Sequence, residues 1–262
     1  MITGIYCIVI FIATIIGAIV GMGGGVIIKP VLDLIGVHSV EVVGFISTCA
    51  VFAMSISSSI KHIKAKTKID PKIVLLVSAG SIIGGVVGNE IFDIAFAVLD
   101  ANIIKAIQAC IIGAFLIFVI IYVNTNMKAY KITNPVAIGV TGLFLGLASA
   151  FLGIGGGPIN TAILVLLFSF TVKESAVYSV AIIFFSQLSQ LIAIFANNRF
   201  EPFKEYWAII LVAMVISVIG GIIGSKLNRK LSDNVVTKIF SATLVFVVLI
   251  NVYNAITGFI VV

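Results

Sequence analysis

Gly21-Met22-Gly23-Gly24-Gly25 ends one long apolar run, and Gly153-Ile154-Gly155-Gly156-Gly157 ends another in the second half of the chain. After each cluster comes a short apolar run, then a full-length one. Glycine this dense breaks a helix and leaves backbone N–H and C=O groups without intrahelical partners. Hydrocarbon does not tolerate bare backbone, so such breaks must be packed in protein or line a wet cavity. Glycine-interrupted segments at matching positions of two halves point to a transporter's binding site.

Composition agrees with a membrane setting. The 262 residues are 61% hydrophobic and 10% charged, whereas a soluble domain averages roughly 45–50% apolar and about 25% charged. The mean hydropathy is +1.29. The formal charge of +6 is gathered in a few short loops, which makes it orientation information. Those loops lack the interleaved aromatics of a nucleic-acid surface, so no nucleic-acid partner is expected. Cys7, Cys49 and Cys110 lie in apolar runs without metal-like spacing and read as small hydrophobes with no disulfide framework. Met1-Ile2-Thr3-Gly4 has no basic n-region, and the run after it is too long for a signal h-region. A retained membrane segment is expected there.

A spanning helix needs about 20 apolar residues. Residues 2–20 meet that length, 26–36 form a short segment, and 39–60 make a long helix ending in the basic run Lys61 to Lys68. Asp70-Pro71 opens a helix over 71–96, since proline suits a first turn. After an acidic hinge with Asp93 and Asp100, a helix covers 102–123. The plan then repeats: 134–152 lead into the second cluster, 158–169 form the short segment, and 172–197, 203–227 and 234–260 complete the chain. Thr171 and Glu174 have capping-box spacing. The halves also match in detail. Asp70-Pro71 answers Glu201-Pro202, and Ser81-Ile-Ile-Gly-Gly-Val-Val-Gly88 answers Ser217-Val-Ile-Gly-Gly-Ile-Ile-Gly224.

The basic loops at 61–72, 124–133 and 226–234 are expected in the cytoplasm, and those near 97–102 and 197–204 outside. If each short segment cancels the direction of the segment before it, each half makes an odd number of crossings. The fold expected is then an all-α integral membrane protein of two inverted repeats, residues 1–130 and 131–262, integrated into one transmembrane domain. Each repeat has about four spanning helices plus one short, glycine-interrupted segment, and both termini lie outside. If the short segment alone returns to its side of origin, the N-terminus lies inside.

A short helix starting after Gly25 or Gly157 turns free N–H groups and the positive end of its dipole toward the glycines, which suits an anion. Gly23, Gly24, Gly25, Gly155, Gly156 and Gly157 are therefore candidate binding residues. The competing reading is close helix packing, as expected for Gly80, Gly84, Gly88, Gly220 and Gly224 at small-xxx-small spacing. Lys29, one turn into the first short segment, offers charge to an anion, although Asp33 four residues on is placed to pair with it. Its repeat counterpart is Thr161, beside Asn160. On the following helices Ser47 matches Ser179, and Ser55 matches Gln187 within a polar stripe. Uncharged donors suit an oxyanion that must bind and leave; the alternative is interhelical hydrogen bonding. His62 reads as a solvated or headgroup-facing residue of the basic loop and His38 as a linker residue, so no proton carrier is named.

The paired stretches Gly17-Ala-Ile-Val-Gly-Met-Gly-Gly-Gly-Val-Ile-Ile-Lys-Pro30 and Ser149-Ala-Phe-Leu-Gly-Ile-Gly-Gly-Gly-Pro-Ile-Asn160 resemble the TauE/SafE sulfite exporter family over essentially the whole chain. That resemblance implies a carrier of the inner, cytoplasmic, membrane for sulfite or organosulfur anions, with a coupling proton as a further partner. Its best-marked positions fall on Gly21, Gly23, Gly24, Gly25 and Pro30, and on Gly153, Gly155, Gly156, Gly157 and Pro158. The expected activity is secondary transport by alternating access; the alternative is a passive anion channel using the same helix ends. No enzymatic Ser/His, paired-Asp or His-x-x-x-His arrangement occurs in any helix, and no nucleotide loop is present, so neither an enzyme nor a cofactor is expected. Substrate, coupling ion and oligomeric state stay open.

Overall fold

The computed structural model describes residues 2–67, 69–98, 101–125, 129–152, 156–196 and 201–260. These form α-helices and one 3-10 helix, with no strand among the described residues. The first half holds α1 (Ile2–Val20), the short α2 (Gly25–Ile35), α3 (Val40–Lys64), α4 (Pro71–Val98) and α5 (Ala101–Asn124). The second holds α6 (Pro135–Leu152), the short α7 (Gly157–Phe168), α8 (Val172–Ala196), the 3-10 helix Glu201–Tyr206, α9 (Trp207–Lys230) and α10 (Asp233–Ile260). Among the described residues α1, α3, α4, α8, α9 and α10 are long and apolar enough to cross a membrane. Shorter apolar stretches occur at Gly113–Asn124, Pro135–Ala150 and Gly157–Phe168.

Three expected boundaries move. Helix α3 runs on through Lys64, because Lys61, His62 and Lys64 in its last turn favour the negative end of the dipole. Helix α4 reaches Val98 and takes in Asp93 of the expected hinge, while Asp100 lies outside the described residues. Residues before Trp207 wind as the 3-10 turn, where the Phe203 ring stacks on Phe45 at 4.2 Å. The capping box forms as read: the Thr171 N–H donates to Glu174 Oε2 at 2.9 Å and the Glu174 N–H to Thr171 Oγ1 at 3.2 Å.

Contacts between connecting segments sort the helix ends into two groups. At one end the Tyr6 hydroxyl meets His38 Nδ1 at 2.9 Å, and His38 lies edge-on to Tyr206. At the other end Arg229 Nη1 donates to the Lys61 carbonyl at 2.8 Å and the Asp70 N–H donates to the Tyr178 hydroxyl at 2.8 Å. The Tyr130 and Ile132 N–H groups reach the Leu166 and Leu167 carbonyls there too. All three basic segments therefore share one end of the bundle. Helix α1 sets out from the Tyr6 end and α2 returns to it; α6 sets out from the basic end and α7 returns to it.

Close packing joins α6 to α4 and α1 to α9. A Cβ at Gly80 would meet the Gly139 carbonyl, one at Gly84 the Leu143 carbonyl, and one at Gly146 the Ser81 carbonyl. In the second pair a Cβ at Gly220 would meet Thr14 Oγ1, and one at Gly224 the Ile15 carbonyl. Backbones this near each other gain dispersion contact where lipid offers no hydrophobic drive. The small-xxx-small faces do the packing expected of them.

Candidate functional site

Helix α1 stops at Val20 because the next residues leave right-handed space. Gly21, Gly23 and Gly24 have φ of 76°, 76° and 72°, and Gly156 has φ of 79°. An L side chain adopts that region only at a cost of roughly 1–2 kcal/mol. Gly24 is the N-cap of α2 and Gly156 the N-cap of α7, and neither helix is capped by a side chain. At α2 the Ile27 and Ile28 N–H groups turn back to the Gly24 carbonyl at 3.0 and 2.9 Å. The open donors of that end are those of Gly25 and Val26. At α7 the Asn160 N–H takes the Gly156 carbonyl at 2.7 Å, and Pro158 has no N–H to give.

The two breaks touch. Gly157 lies on Met22 so closely that a Cβ would collide with the Met22 carbonyl oxygen. The carbonyls left open at the end of α1 are satisfied from the second half. The Ser179 hydroxyl donates to the Gly21 carbonyl at 2.6 Å, and the Thr161 hydroxyl reaches the Val20 and Gly21 carbonyls at 3.4 Å each. Asn160 is 3% exposed, with its amide atoms 3.4 and 3.5 Å from where a Gly156 Cβ would stand. Ser47 Oγ stands 3.3 Å from the same position at Gly25, and Ile183 and Val51 wall in Gly23.

Of the residues named from sequence, Gly23, Gly24, Gly25, Ser47, Gly156, Gly157, Asn160, Thr161 and Ser179 come together around this crossing. Lys29, half-buried, and Gln187, buried, sit one helical turn off it: Lys29 along α2, and Gln187 beyond Ile183 on α8. Gly153 and Gly155 lie outside the described residues. Asp33 Oδ1 is buried without a hydrogen-bond partner. The lower stripe serves packing: Ser55 and Ser57 donate to carbonyls of their own helix, and Ser58 meets Ser225 of α9 at 2.6 Å.

One expectation is overturned. His62 is not a solvated loop residue; it lies in α3, 1% exposed, with Nδ1 3.5 Å from Thr67 Oγ1 and Nε2 without a partner. The extra turn of α3 presses it against α9, where Arg229 closes over the Lys61 carbonyl. Sequence reading also passed over Asn228, 1% exposed, whose amide donates to the Ile19 carbonyl at 2.6 Å. Its signal was available: Gly220, Gly224 and Asn228 follow at steps of four, on the face of α9 turned to α1.

A bundle of apolar helices, two of them cut short at buried glycine breaks, defines a multi-pass integral membrane protein. The family model described as Sulfite exporter TauE/SafE matches residues 6–251, and the chain belongs to that family. It is similar to the probable membrane transporter protein YunE of Bacillus subtilis (strain 168), at 24% identity over 90% of this chain and 92% of the relative. It is also similar to the probable membrane transporter protein MJ0441 of Methanocaldococcus jannaschii, at 28% identity over 85% of each chain. No solved structure matches it. The family and both relatives are membrane transporters, not enzymes.

Proposed function

We propose that this protein is a secondary transporter of a small sulfur-containing anion, of the sulfite or organosulfonate type, which it holds between the two glycine breaks. The observation that carries the proposal is the meeting of two helix N-termini, α2 and α7, each begun by a left-handed glycine without a side-chain cap. Two positive helix ends with open N–H groups in a low-dielectric interior favour an anion from both sides. Asn160, Ser47 and Lys29 add an amide, a hydroxyl and a charge around those ends, and Gln187 a further amide.

Alternating access is supported by the chain path. Helix α1 and its counterpart α6 set out from opposite ends of the bundle, as inverted repeats require. The basic end is assigned to the cytoplasm by the positive-inside rule, which sets both termini outside. The family name supports a sulfur-containing substrate, and the relatives' names support transport.

Uptake of sulfite and a panel of sulfonates into proteoliposomes tests the reading, with wild type set against Asn160→Leu and Gly156→Ala. Saturable, exchange-stimulated flux in the wild type, with KM raised at least about tenfold by Asn160→Leu in a folded protein, is the expected result. Flux that rises linearly without saturation would make the protein a channel. Unchanged KM in both variants would remove the anion from the breaks.

A further inference from the structure

A cleft of about 320 Å³ is cut into the basic end of the bundle, between the start of α8, the end of α9 and the start of α10. Its rim is exposed at Thr171, Glu174 and Asp233, and its floor is buried at Val177, Tyr178 and Asn228. We propose that this cleft is the vestibule through which the anion reaches the first glycine break from the basic end, with Asn228 as the gate at its floor. The proposal rests on the glycine breaks being the substrate site.

The floor of the cleft and the back of the break are the same few residues. Val177 lines the cleft; its neighbour Ala176 is the residue on which Gly21 rests, close enough that a Gly21 Cβ would collide with the Ala176 Cα. Ser179, on the same turn of α8, donates to the Gly21 carbonyl. Asn228 lines the cleft and at the same time donates to the Ile19 carbonyl, two residues before Gly21. The wall between cleft and break is thus one layer of side chains, tied to the end of α1 by the neutral hydrogen bonds of Ser179 and Asn228. Neutral hydrogen bonds of this kind contribute little net free energy, which suits a contact that must open and close repeatedly.

Charge and size fit a small anion. The deeper charges are cationic: Lys173 and Arg229 are half-buried, whereas Glu174 and Asp233 are exposed. Lys173 Nζ is anchored on the Arg229 and Leu231 carbonyls at 3.3 and 2.9 Å. Glu174 is committed to capping α8 through Thr171. The volume lies at the small end of ligand pockets, roughly 300–1,000 Å³, which excludes bulky substrates. The gate is also one-sided. In the repeat register Gly224 answers Gly88, which puts Phe92 where the second half has Asn228.

The test reads thiol accessibility, which does not depend on transport. Val177→Cys and Ser179→Cys are made singly in the full chain, and the wild type with its own cysteines serves as background. A membrane-impermeant methanethiosulfonate bearing a sulfonate group is added from the basic side of proteoliposomes, and labelling is followed by mass spectrometry. Cys at 177 is expected to label readily and its modification to block anion flux; Cys at 179 is expected to label slowly, and at least about tenfold faster once Asn228→Ala is added. Labelling at 177 that leaves flux intact would overturn the vestibule. An unchanged rate at 179 with and without Asn228, in variants that melt like the wild type, would overturn the gate. Should Asn160→Leu leave flux unaltered while labelling at 179 still responds to Asn228, the glycine site falls and the access route stands.

Discussion

Both short helices begin at a left-handed glycine, Gly24 for α2 and Gly156 for α7, but the two helix heads supply their polar groups differently. The first is made of backbone: three left-handed glycines, two open N–H groups at the head of α2, and carbonyls that must borrow hydroxyls from α7 and α8. The second trades main-chain donors for side chains. Pro158 stiffens the first turn of α7 and removes an N–H, and the buried Asn160 amide stands beside Gly156 in its place. Packing differs as well. Gly157 is pressed onto Met22 backbone, which cannot yield, whereas Gly25 faces the ends of two side chains, Val51 Cγ2 at 3.2 Å and Ser47 Oγ at 3.3 Å. The paired glycine motifs thus share a left-handed N-cap while their donors and their tolerance of bulk differ.

The largest expected contrast is steric. Gly157→Ala should destabilise the protein by about 3 kcal/mol, against about 1 kcal/mol for Gly25→Ala, measured by thermal melts in detergent. Equal losses would show that the two breaks are packed alike. Next comes the borrowed hydroxyl. Ser179→Ala leaves the Gly21 carbonyl with Thr161 alone at 3.4 Å, a cost of about 1–2 kcal/mol in the same melt. Its counterpart Ser47→Ala should cost under about 0.5 kcal/mol. A smaller effect sharpens the comparison from the side of binding. Pro158→Ala restores an N–H to the poorer helix end and should lower the KM for the anion about fivefold, the equivalent of about 1 kcal/mol. A KM that does not fall would mean that α7 contributes no main-chain donor to the substrate. Smallest is Lys29→Gln, with KM raised about twofold at low ionic strength and the difference narrowed but not abolished near 0.5 M salt, since a half-buried charge is screened less than an exposed one.

Much of this architecture was legible because hydropathy and helix signals are local. Residues 2–20 end where Gly21 must turn left-handed, and Thr171 with Glu174 announces its own helix start. The glycine ladders of α4 and α9 were readable for the same reason, since spacing alone fixes a face. What local signals could not carry was long-range. His62 sits among lysines and looks wet, yet its burial is decided by α9, far along the chain. Ser179 and Thr161 were read as donors toward a ligand, and both hydroxyls are turned to α1 carbonyls here. Which break a hydroxyl serves depends on how the halves interlock, and no local pattern carries that.

That interlocking has a consequence for how the protein is made. The tightest pairings, α4 with α6, α3 with α9 and α1 with α9, all join one half to the other. Helix α1 leaves the ribosome well before α9, the helix its surface is shaped for, which begins at Trp207. Throughout synthesis its small-residue face must wait in the bilayer against lipid or a temporary partner. A half-length chain would leave all three of these pairings unmade, so neither half is fully packed until the other has entered the membrane beside it.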